Sequence, residues 1–258
     1  MSGNATINVD GKLDEAAWHE APVSPRFVDI LTGGPVIHDT RAAVVWDDQY
    51  LYVSYRVEEP FVQAKFTNHN DTIYYDNDVE LFVAGPDAYY EFEINPLGTV
   101  YEAFYIWQDA YRAAGFSSRE EFDLTRGTVD VLGGFQDGSR FGKHPRGRRW
   151  AFMDWDFPGL RSAVRTDGTL NDDRDIDRGW TVELAFPWSG MATLAQGRDL
   201  PPRDGDVWRM DFSRFEALTT AGIRVRPDPG WALNRHGVYD SHIPECFSRV
   251  EFSASPAV

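Results

Sequence analysis

The sequence predicts an all-β protein, a β-sandwich of the jelly-roll or immunoglobulin-like kind, on three observations. Short stretches in which apolar and polar residues alternate recur along the chain, and turn residues separate them. Helical patterns are few and short. At 258 residues, with 42% hydrophobic and 14% aromatic residues, the chain can bury a sizeable core. No repeat or low-complexity linker divides it, so we expect a single domain over residues 1–258.

The predicted elements follow from the period of the pattern. Residues 51–58 place Leu51 and Val53 on one face and Tyr52 and Ser54 on the other, as a half-buried strand requires. Residues 179–187 alternate in the same way around Trp180. Helical turns are expected at 13–18 and 187–195, the second opening with a proline suited to a first helical turn. Further strands are predicted at 6–9, 41–46, 99–107, 160–166, 207–215 and 247–252.

A hairpin in the middle of the chain carries the most informative pattern. The stretches DVELFVA (78–84) and AYYEFEIN (88–95) flank the turn-rich GPDA. Matching their apolar faces sets three pairs opposite each other: Val79 with Ile94, Leu81 with Phe92 and Val83 with Tyr90. With Trp180, Val182 and Leu184 from a later strand, all of these except Tyr90 form the predicted core set.

The outer face of this hairpin then sets two glutamates, Glu80 and Glu93, directly across the ladder. Like charges in that position repel, so the pair needs a shared proton, an arginine, a metal ion or a polar ligand. Because guanidinium groups can bridge two carboxylates, we expect an arginine from the weakly patterned segment 108–156, which reads as a long loop inserted in the sandwich. The candidates are Arg112 and, from "GKHPRGRRW", Arg146, Arg148 and Arg149, with Lys143 in the same cluster.

Calcium is the alternative cation, since it takes several carboxylate and carbonyl oxygens. Asp76 and Asp78 are the candidate metal ligands in YYDNDVELFV. The acids of LNDDRDIDRGW (170–180) leave calcium binding and an exposed turn both open, and their spacing is not that of an EF-hand loop. Asp47 and Asp48 in WDDQY are expected to make a hairpin turn.

Composition limits the partners. The formal net charge is −16 and the pI about 4.7, which disfavours nucleic acids and anionic membranes as partners. No apolar run reaches the roughly 20 residues that span a bilayer. Cys246 is the single cysteine, so no intrachain disulfide can form. The first residues do not have the pattern of a secretory signal, so the compartment stays open, with export expected only if a leader has been removed.

Five segments together resemble the family 9 carbohydrate-binding modules and their stand-alone relatives. They follow one another over nearly the whole chain in the order and spacing of that family. The resemblance implies a β-sandwich that often binds calcium structurally and has a sugar site on one sheet face. The segments are INVDGKLDEAAW, VVWDDQYLYVSYRVEEP, DNDVELFV, DGTLNDDRDIDRGWTVELAFPW and HGVYDSHIPECFSRVEF.

In members of that family, two tryptophans sandwich a sugar whose hydroxyls bind a glutamate, an arginine and asparagines. Carried over, the glutamate is Glu80, and the arginine position holds Glu93, which reverses its charge. The second tryptophan position falls near Ser241 or His242, where Trp231 or Tyr239 could substitute. A sugar stacked between two indoles is therefore not expected. The ligand-binding residues implied are Tyr74, Glu80, Glu93, Asn95, Trp231 and His242.

Three function classes follow, in decreasing order of support. The first is a noncatalytic carbohydrate-binding domain whose partner is a glycan, with structural calcium and no organic cofactor. The second is a glycan-active enzyme, of the glycoside hydrolase or lyase type, with Glu80 and Glu93 as its carboxylate pair. The third is a haem-binding relative using methionine and histidine, for which the available side chains are Met153, Met191, Met210, His236 and His242.

Overall fold

The computed structural model describes residues 7–133, 144–220 and 222–254, and two antiparallel sheets dominate it. The strands are β1 Val28–Asp29, β2 Thr40–Trp46, β3 Tyr50–Glu58, β4 Asp78–Ala84, β5 Ala88–Ile94, β6 Val100–Trp107, β7 Val129–Leu132, β8 Arg149–Phe152, β9 Arg161–Asp167, β10 Gly179–Pro187, β11 Val207–Phe215, β12 Thr219–Thr220, β13 Ile223–Arg224, β14 Gly230–Ala232 and β15 Ser248–Glu251. The helices are α1 Ala16–Glu20, α2 Ala110–Ala113 and α3 Ala192–Ala195, with 3₁₀ turns at Ile73–Tyr75, Phe116–Ser118, Glu120–Phe122, Trp188–Met191 and Pro244–Cys246.

The larger sheet has the strand order β1-β14-β11-β4-β5-β6-β8-β7, and β15 also pairs with β11. The smaller sheet has the order β2-β3-β10-β9, and β12 and β13 form a separate hairpin. The predicted all-β class with few short helices is confirmed. The strand expected at 6–9 is not found: residues 7–9 have no regular structure, and Thr6 lies outside the described residues.

The core between the two sheets has the residues that the alternation predicts. All eight members of the predicted core set are buried in one cluster to which both sheets contribute. The hairpin register is also confirmed, with Val79 opposite Ile94 and Glu80 opposite Glu93. Burial of each large apolar side chain contributes about 1.5–3 kcal/mol. A slip of one residue would move the whole apolar set to the outer face, which is why this register is strongly specified.

The outer face of the smaller sheet is covered by the start of the described chain. Glu183 on β10 accepts hydrogen bonds from the backbone N–H groups of Asp10 (2.9 Å) and Gly11 (2.6 Å) and from the indole of Trp18 (2.7 Å). Trp18 packs with Tyr52 and with aliphatic residues in a separate hydrophobic cluster on this face. The outer face of the larger sheet remains as a surface on which a ligand site can form.

Segment 108–156 is more regular than the loop predicted from its weak pattern. It contributes α2, two 3₁₀ turns and the strands β7 and β8, which extend the larger sheet beyond β6. Irregularly spaced aromatic residues anchor it: Phe116 and Phe122 pack on Phe104 of β6. Two aromatic residues six positions apart do not by themselves establish a strand or helix period, so the sequence pattern did not reveal them. Lys143 lies outside the described residues. In the described part of the chain, no helix is both long and apolar enough to cross a membrane.

Candidate ligand-binding site

A cavity of about 440 Å³ opens on the outer face of the larger sheet. Its floor is formed by β4, β5 and β6, since outward-pointing residues alternate with core residues along each strand. Residues of β7 and β8 form one wall, and residues 239–242 of the loop between β14 and β15 form another. Tyr74, in the turn before β4, stands at its edge. The volume is within the usual range for small-ligand sites.

Three glutamates lie on the floor of the cavity. The carboxylate of Glu80 accepts hydrogen bonds from the hydroxyls of Ser213 (2.8 Å) and Ser241 (3.0 Å). Glu91 accepts one from the hydroxyl of Tyr105. Glu93 differs, because its buried Oε2 atom has no hydrogen-bond partner among the described residues. On the floor, Glu80 and Glu91 therefore have hydrogen-bond donors within the protein, whereas one oxygen of Glu93 is left for a ligand.

Burial raises the pKa of all three glutamates. It raises the pKa of Glu80 to about 7, against the opposing effect of the two serine hydrogen bonds. It raises the pKa of Glu91 to about 8, and for Glu93 burial and the neighbouring Asp78 hold the pKa well above its ordinary value. Near neutral pH the floor therefore carries carboxyl groups that are partly protonated, which lessens the repulsion between them.

A buried histidine lies behind Glu80. The Nε2 atom of His236 is 3.0 Å from Oδ1 of Asp211, and its Nδ1 atom is 2.9 Å from the backbone oxygen of Asp240. Both ring nitrogens thus face acceptors, which favours the doubly protonated imidazolium. Although burial opposes it, the hydrogen bond with Asp211 raises the pKa of His236. Ser213 contacts both Asp211 (3.0 Å) and Glu80, so a chain of polar groups connects this cation to the cavity floor.

The predicted arginine bridge between Glu80 and Glu93 is wrong. Arg146 instead binds Asp87 and Asp109, and the buried Arg149 lies over the ring of Trp107, at 4.8 Å from its centre. In residues 7–133, 144–220 and 222–254, no arginine, including Arg112 and Arg148, forms an ion pair with either glutamate. The register explains this: Arg149 pairs with Trp107, whereas Glu93 pairs with Tyr101, six residues away along β6. Six residues of strand span about 20 Å.

Two tyrosines give the edge of the cavity its aromatic surface. Tyr74 and Tyr239 are 39% and 41% exposed, so part of each side chain is accessible to a ligand. Tyr74 packs edge-on against Tyr101 at 5.8 Å, and Tyr239 packs edge-on against Phe215 at 5.4 Å. The hydroxyl of Tyr239 donates to the backbone oxygen of Asp228 (2.7 Å), which fixes the ring in place.

The structure gathers four of the six predicted ligand residues around the cavity: Tyr74, Glu80, Glu93 and His242. Trp231 is 3% exposed and packs under the guanidinium group of Arg214 at 4.6 Å, away from the cavity. Tyr239, the alternative to Trp231, does line it. Asn95 is fully buried, and its Oδ1 atom closes a turn by accepting hydrogen bonds from the backbone N–H groups of Leu97 and Thr99. Neither Trp231 nor Asn95 can reach a ligand in this arrangement.

The acids of the DND motif have separate roles. Asp76 accepts hydrogen bonds from the backbone N–H groups of Lys65 (2.9 Å) and Phe66 (3.0 Å) and so holds a loop. The side chain of Asn77 donates a hydrogen bond to Glu59 and accepts one from the backbone N–H of Ala217, just after β11. Asp78 accepts from the N–H of Phe215 through Oδ1, while its buried Oδ2 has no partner among the described residues. Asp78, Glu80 and Glu93 each contribute one carboxylate oxygen to a group of three that lie within 4.8 Å of one another.

The other acidic stretches make turns and loop contacts. The carboxylate of Asp47 accepts hydrogen bonds from the backbone N–H groups of Gln49 and Tyr50, which confirms the hairpin turn expected there. Asp177, in the stretch 170–180, accepts from the N–H groups of Val62 and Thr169. Among the methionines considered for haem, Met191 and Met210 are fully buried in the core between the sheets. Met153 lines the cavity together with His242.

The cavity residues that the sequence reasoning did not single out include Glu91, Tyr101, Tyr105 and Asp240. For three of them a signal existed. Glu91 has the same parity as Glu93 in β5, and once β6 is paired with β5, Tyr101 and Tyr105 also face outward. Asp240 lies in a loop whose path alternation does not encode.

Comparisons with known proteins agree with this description. Residues 34–122 match the family model described as carbohydrate-binding family 9. No curated protein matches the sequence at a significant level. A crystal structure of a candidate carbohydrate-binding protein from Bacteroides uniformis is similar, with a TM-score of 0.59 and 15% identity over 91% of this chain and 88% of that one.

A family 9 carbohydrate-binding module from Caldicellulosiruptor kristjanssonii, solved in complex with cellotriose, has a TM-score of 0.51. It is 13% identical over 98% of this chain and 91% of that one. The same organism's family 9 module in complex with glucose has a TM-score of 0.50 at 13% identity, over 100% of this chain and 97% of that one. At these identities the likeness shows the fold. The resemblance of the sequence to carbohydrate-binding family 9 is thus confirmed, by the family model over residues 34–122 and by the shared fold over nearly the whole chain.

Proposed function

We propose that this protein is a noncatalytic carbohydrate-binding domain whose ligand lies in the outer-face cavity. The observation that carries the proposal is the pairing of two exposed tyrosine rings, Tyr74 and Tyr239, with a floor of carboxyl groups. The apolar C–H face of a sugar ring can pack on an aromatic side chain, while its hydroxyls need polar partners beside it. The family model and the sugar complexes of the structurally similar modules support the same conclusion.

The carboxyl groups suit a neutral polar ligand as well as a charged one. A protonated carboxyl donates one hydrogen bond and accepts others, whereas an ionised carboxylate only accepts. With the pKa of Glu80 at about 7 and that of Glu91 at about 8, the floor can present both forms near neutral pH. Sugar hydroxyls, which donate and accept, match such a surface. Carbohydrate catabolism is the process that binding of this kind would serve.

The enzyme alternative finds less support in the geometry. Retaining glycosidases separate their two carboxyl groups by about 5–5.5 Å and inverting ones by about 6.5–9.5 Å. Here Glu80 and Glu93 face each other directly across the ladder, and one oxygen of each lies within 4.8 Å of the other. That spacing leaves little room for a sugar carbon between them, so the arrangement favours binding over cleavage.

Calcium stays a prediction beside this proposal. Of the two candidate ligands, Asp76 gives one oxygen to the N–H groups of Lys65 and Phe66, and Asp78 lies with Glu80 and Glu93. Melting curves recorded with added Ca²⁺ and with chelator test it, because a structural ion raises the melting temperature by mass action.

Isothermal calorimetry against a panel of glycans tests the proposed function. For the sugar that binds, Tyr74→Ala and Tyr239→Ala should each weaken affinity about five- to tenfold, the loss of roughly 1–1.4 kcal/mol of ring contact. Phe61→Ala is the matched control, since Phe61 is 45% exposed but lies at a different depression. Unchanged affinity in both tyrosine variants would place the sugar elsewhere. Release of sugar product during the titration would instead support an enzyme.

A further inference from the structure

The lining of the cavity is strongly acidic. Five carboxyl side chains contribute to it, and among the described lining residues there is no lysine or arginine. His242, the one histidine among the described lining residues, lies 3.3 Å from Oε1 of Glu91 through its Nε2 atom, and burial lowers its pKa to about 3. A site for neutral hydroxyls does not need five acidic side chains, because each buried carboxylate without a partner raises the free energy of the folded state. The five acidic residues that line the cavity are Glu80, Glu91, Glu93, Asp130 and Asp240.

Two buried oxygens at this site have no hydrogen-bond partner among the described residues. They are Oε2 of Glu93, which lines the cavity, and Oδ2 of Asp78, which is two residues before Glu80 on β4. Both residues are buried, at 2% and 0% exposure. One oxygen of each of these residues and one oxygen of Glu80 lie within 4.8 Å of one another. Since buried polar atoms in folded proteins nearly always have a hydrogen-bond partner, these atoms point to a donor that a ligand brings.

We propose that the ligand is a saccharide bearing a protonated amine, an amino sugar, whose ammonium group lies between Glu80 and Glu93. The inference rests on the proposed function and specifies its substrate class. An ammonium group supplies three donors and a positive charge, whereas a sugar hydroxyl supplies one donor and none. Charge-assisted hydrogen bonds to carboxylates are about twice as strong as neutral ones.

The aromatic residues around the acids fit the same ligand. Tyr74, Tyr101 and Tyr239 line the cavity beside the carboxyl groups, so a cation held there also faces aromatic rings. Attraction between a cation and a ring face strengthens when water is excluded. A neutral sugar would gain the stacking but not this electrostatic contribution.

A metal ion fits the site less well than an ammonium group. Calcium takes six to eight oxygens, and two of the local oxygens are already engaged: Oδ1 of Asp78 by the N–H of Phe215, and Oε2 of Glu80 by two serine hydroxyls. Four oxygens of Asp78, Glu80 and Glu93 then remain, fewer than calcium takes but enough for the three donors of an ammonium group. The experiment below includes a metal arm to separate the two.

Binding of a cation should release protons. Burial holds the pKa of Glu80 at about 7 and that of Glu93 well above 4.5, so a cation that ionises them displaces protons to the buffer. Affinity should therefore rise with pH from 6 towards 8, until the amine itself loses its proton. The other titratable groups facing this pair are Asp78, Glu91, Tyr74, Tyr101, Tyr105, Asp211, His236, Tyr239, Asp240 and His242.

The test is calorimetry with three disaccharides that share one β-1,4-linked backbone and differ at carbon 2. They are chitobiose, which carries two amines, N,N′-diacetylchitobiose and cellobiose. We expect chitobiose to bind at least tenfold tighter than the other two at pH 7, with protons released when buffers of different ionisation enthalpy are compared. Glu93→Gln should remove that preference, and Glu20→Gln, on the exposed end of α1, should leave it unchanged.

Four outcomes overturn the proposal in distinguishable ways. If cellobiose binds as tightly as chitobiose and Tyr239→Ala weakens it, the site is a carbohydrate site without amine preference. If no saccharide in a wide panel binds, the proposed function fails as well. If Ca²⁺ alone raises the melting temperature and Glu93→Gln abolishes that rise, the acids hold a metal. If Glu93→Gln is folded by circular dichroism and keeps the preference for chitobiose, the ammonium group lies elsewhere.

Discussion

At the scale of single residues, Glu93 is the least satisfied side chain of the site. It lies opposite Glu80 on the neighbouring strand, has a buried oxygen without a partner in the described chain, and adjoins Asp78. Such a group destabilises the folded state whenever it is ionised. Residues of this kind persist where they serve a purpose other than stability, and we propose that for Glu93 this purpose is recognition of the ligand.

This leads to a prediction about pH and stability. A carboxyl whose pKa is raised on folding contributes stability below its unfolded pKa of about 4.5, and that contribution is lost as pH rises through the folded value. For Glu80, with its pKa at about 7, the loss between pH 5 and 8 is about 3 kcal/mol, at about 1.4 kcal/mol per pKa unit. Burial and the neighbouring Asp78 also raise the pKa of Glu93 well above its ordinary value, so Glu93→Gln should flatten the decline of the free energy of unfolding with pH.

Urea unfolding followed by tryptophan fluorescence at pH 5 and pH 8 measures this decline. The wild type should lose stability between the two values, and Glu93→Gln should lose distinctly less. Glu20→Gln, an exposed carboxyl on the opposite side of the sandwich, should behave as the wild type. Equal pH slopes for Glu93→Gln and the wild type would contradict the inference that folding raises the pKa of Glu93.

How far single site residues could be predicted depended on where they lie. Glu80 and Glu93 sit on strands, so alternation fixed both their face and their pairing. Trp231 lies on β14 and was expected at the ligand, but its ring turns under Arg214, a contact that no periodic pattern encodes. Tyr239 lies in a loop, and its position depends on a hydrogen bond to the backbone of Asp228. Loop residues of this kind need the tertiary structure.

At the scale of elements, β11 connects the two sheets through one buried arginine. Arg214 forms ion pairs with Glu59 (3.2 Å) and Glu216 (3.1 Å) and donates to the hydroxyl of Thr40 (3.0 Å) on β2. It also donates to the backbone oxygen of Glu58 on β3 (2.9 Å). All of these groups except Glu58 are buried, so each charge depends on the others for compensation.

Removing that arginine should be costly. Arg214→Met leaves Glu59 and Glu216 buried without their cation, and we expect the free energy of unfolding to fall by about 3–5 kcal/mol. Arg178→Met is the matched control, because Arg178 is 84% exposed and its ion pair with Asp167 should contribute no more than about 1 kcal/mol. Urea midpoints of both variants check this. A loss below about 1 kcal/mol for Arg214→Met would contradict the proposed role.

The elements themselves were predictable to different degrees. Strand positions on both sheets follow from apolar alternation, and β11 was predicted with its observed bounds. The arginine cluster was assigned to the wrong end of the hairpin, because the sequence does not reveal that β8 pairs with the last residues of β6. Pairing between strands separated by a long segment depends on packing, here on Phe116 and Phe122, rather than on local pattern.

At the scale of the whole molecule, the two sheet faces differ in a way that decides the function. The outer face of the smaller sheet is closed by the N-terminal segment through Glu183 and Trp18. The larger sheet leaves its outer face open and surrounds it with β7, β8 and the loop before β15, which produces the cavity. The negative net charge of −16 agrees with the acidic lining and with a ligand that is neutral or cationic.

The most direct test of the central claim is a crystal structure of the protein with the saccharide that binds tightest in calorimetry. We predict that one sugar ring lies against Tyr74 or Tyr239 and that its polar groups are within hydrogen-bond distance of Glu80 or Glu93. A sugar bound instead at the depression of about 290 Å³ near His38 and Glu216, or on the smaller sheet, would contradict the assignment of the outer-face cavity as the ligand site.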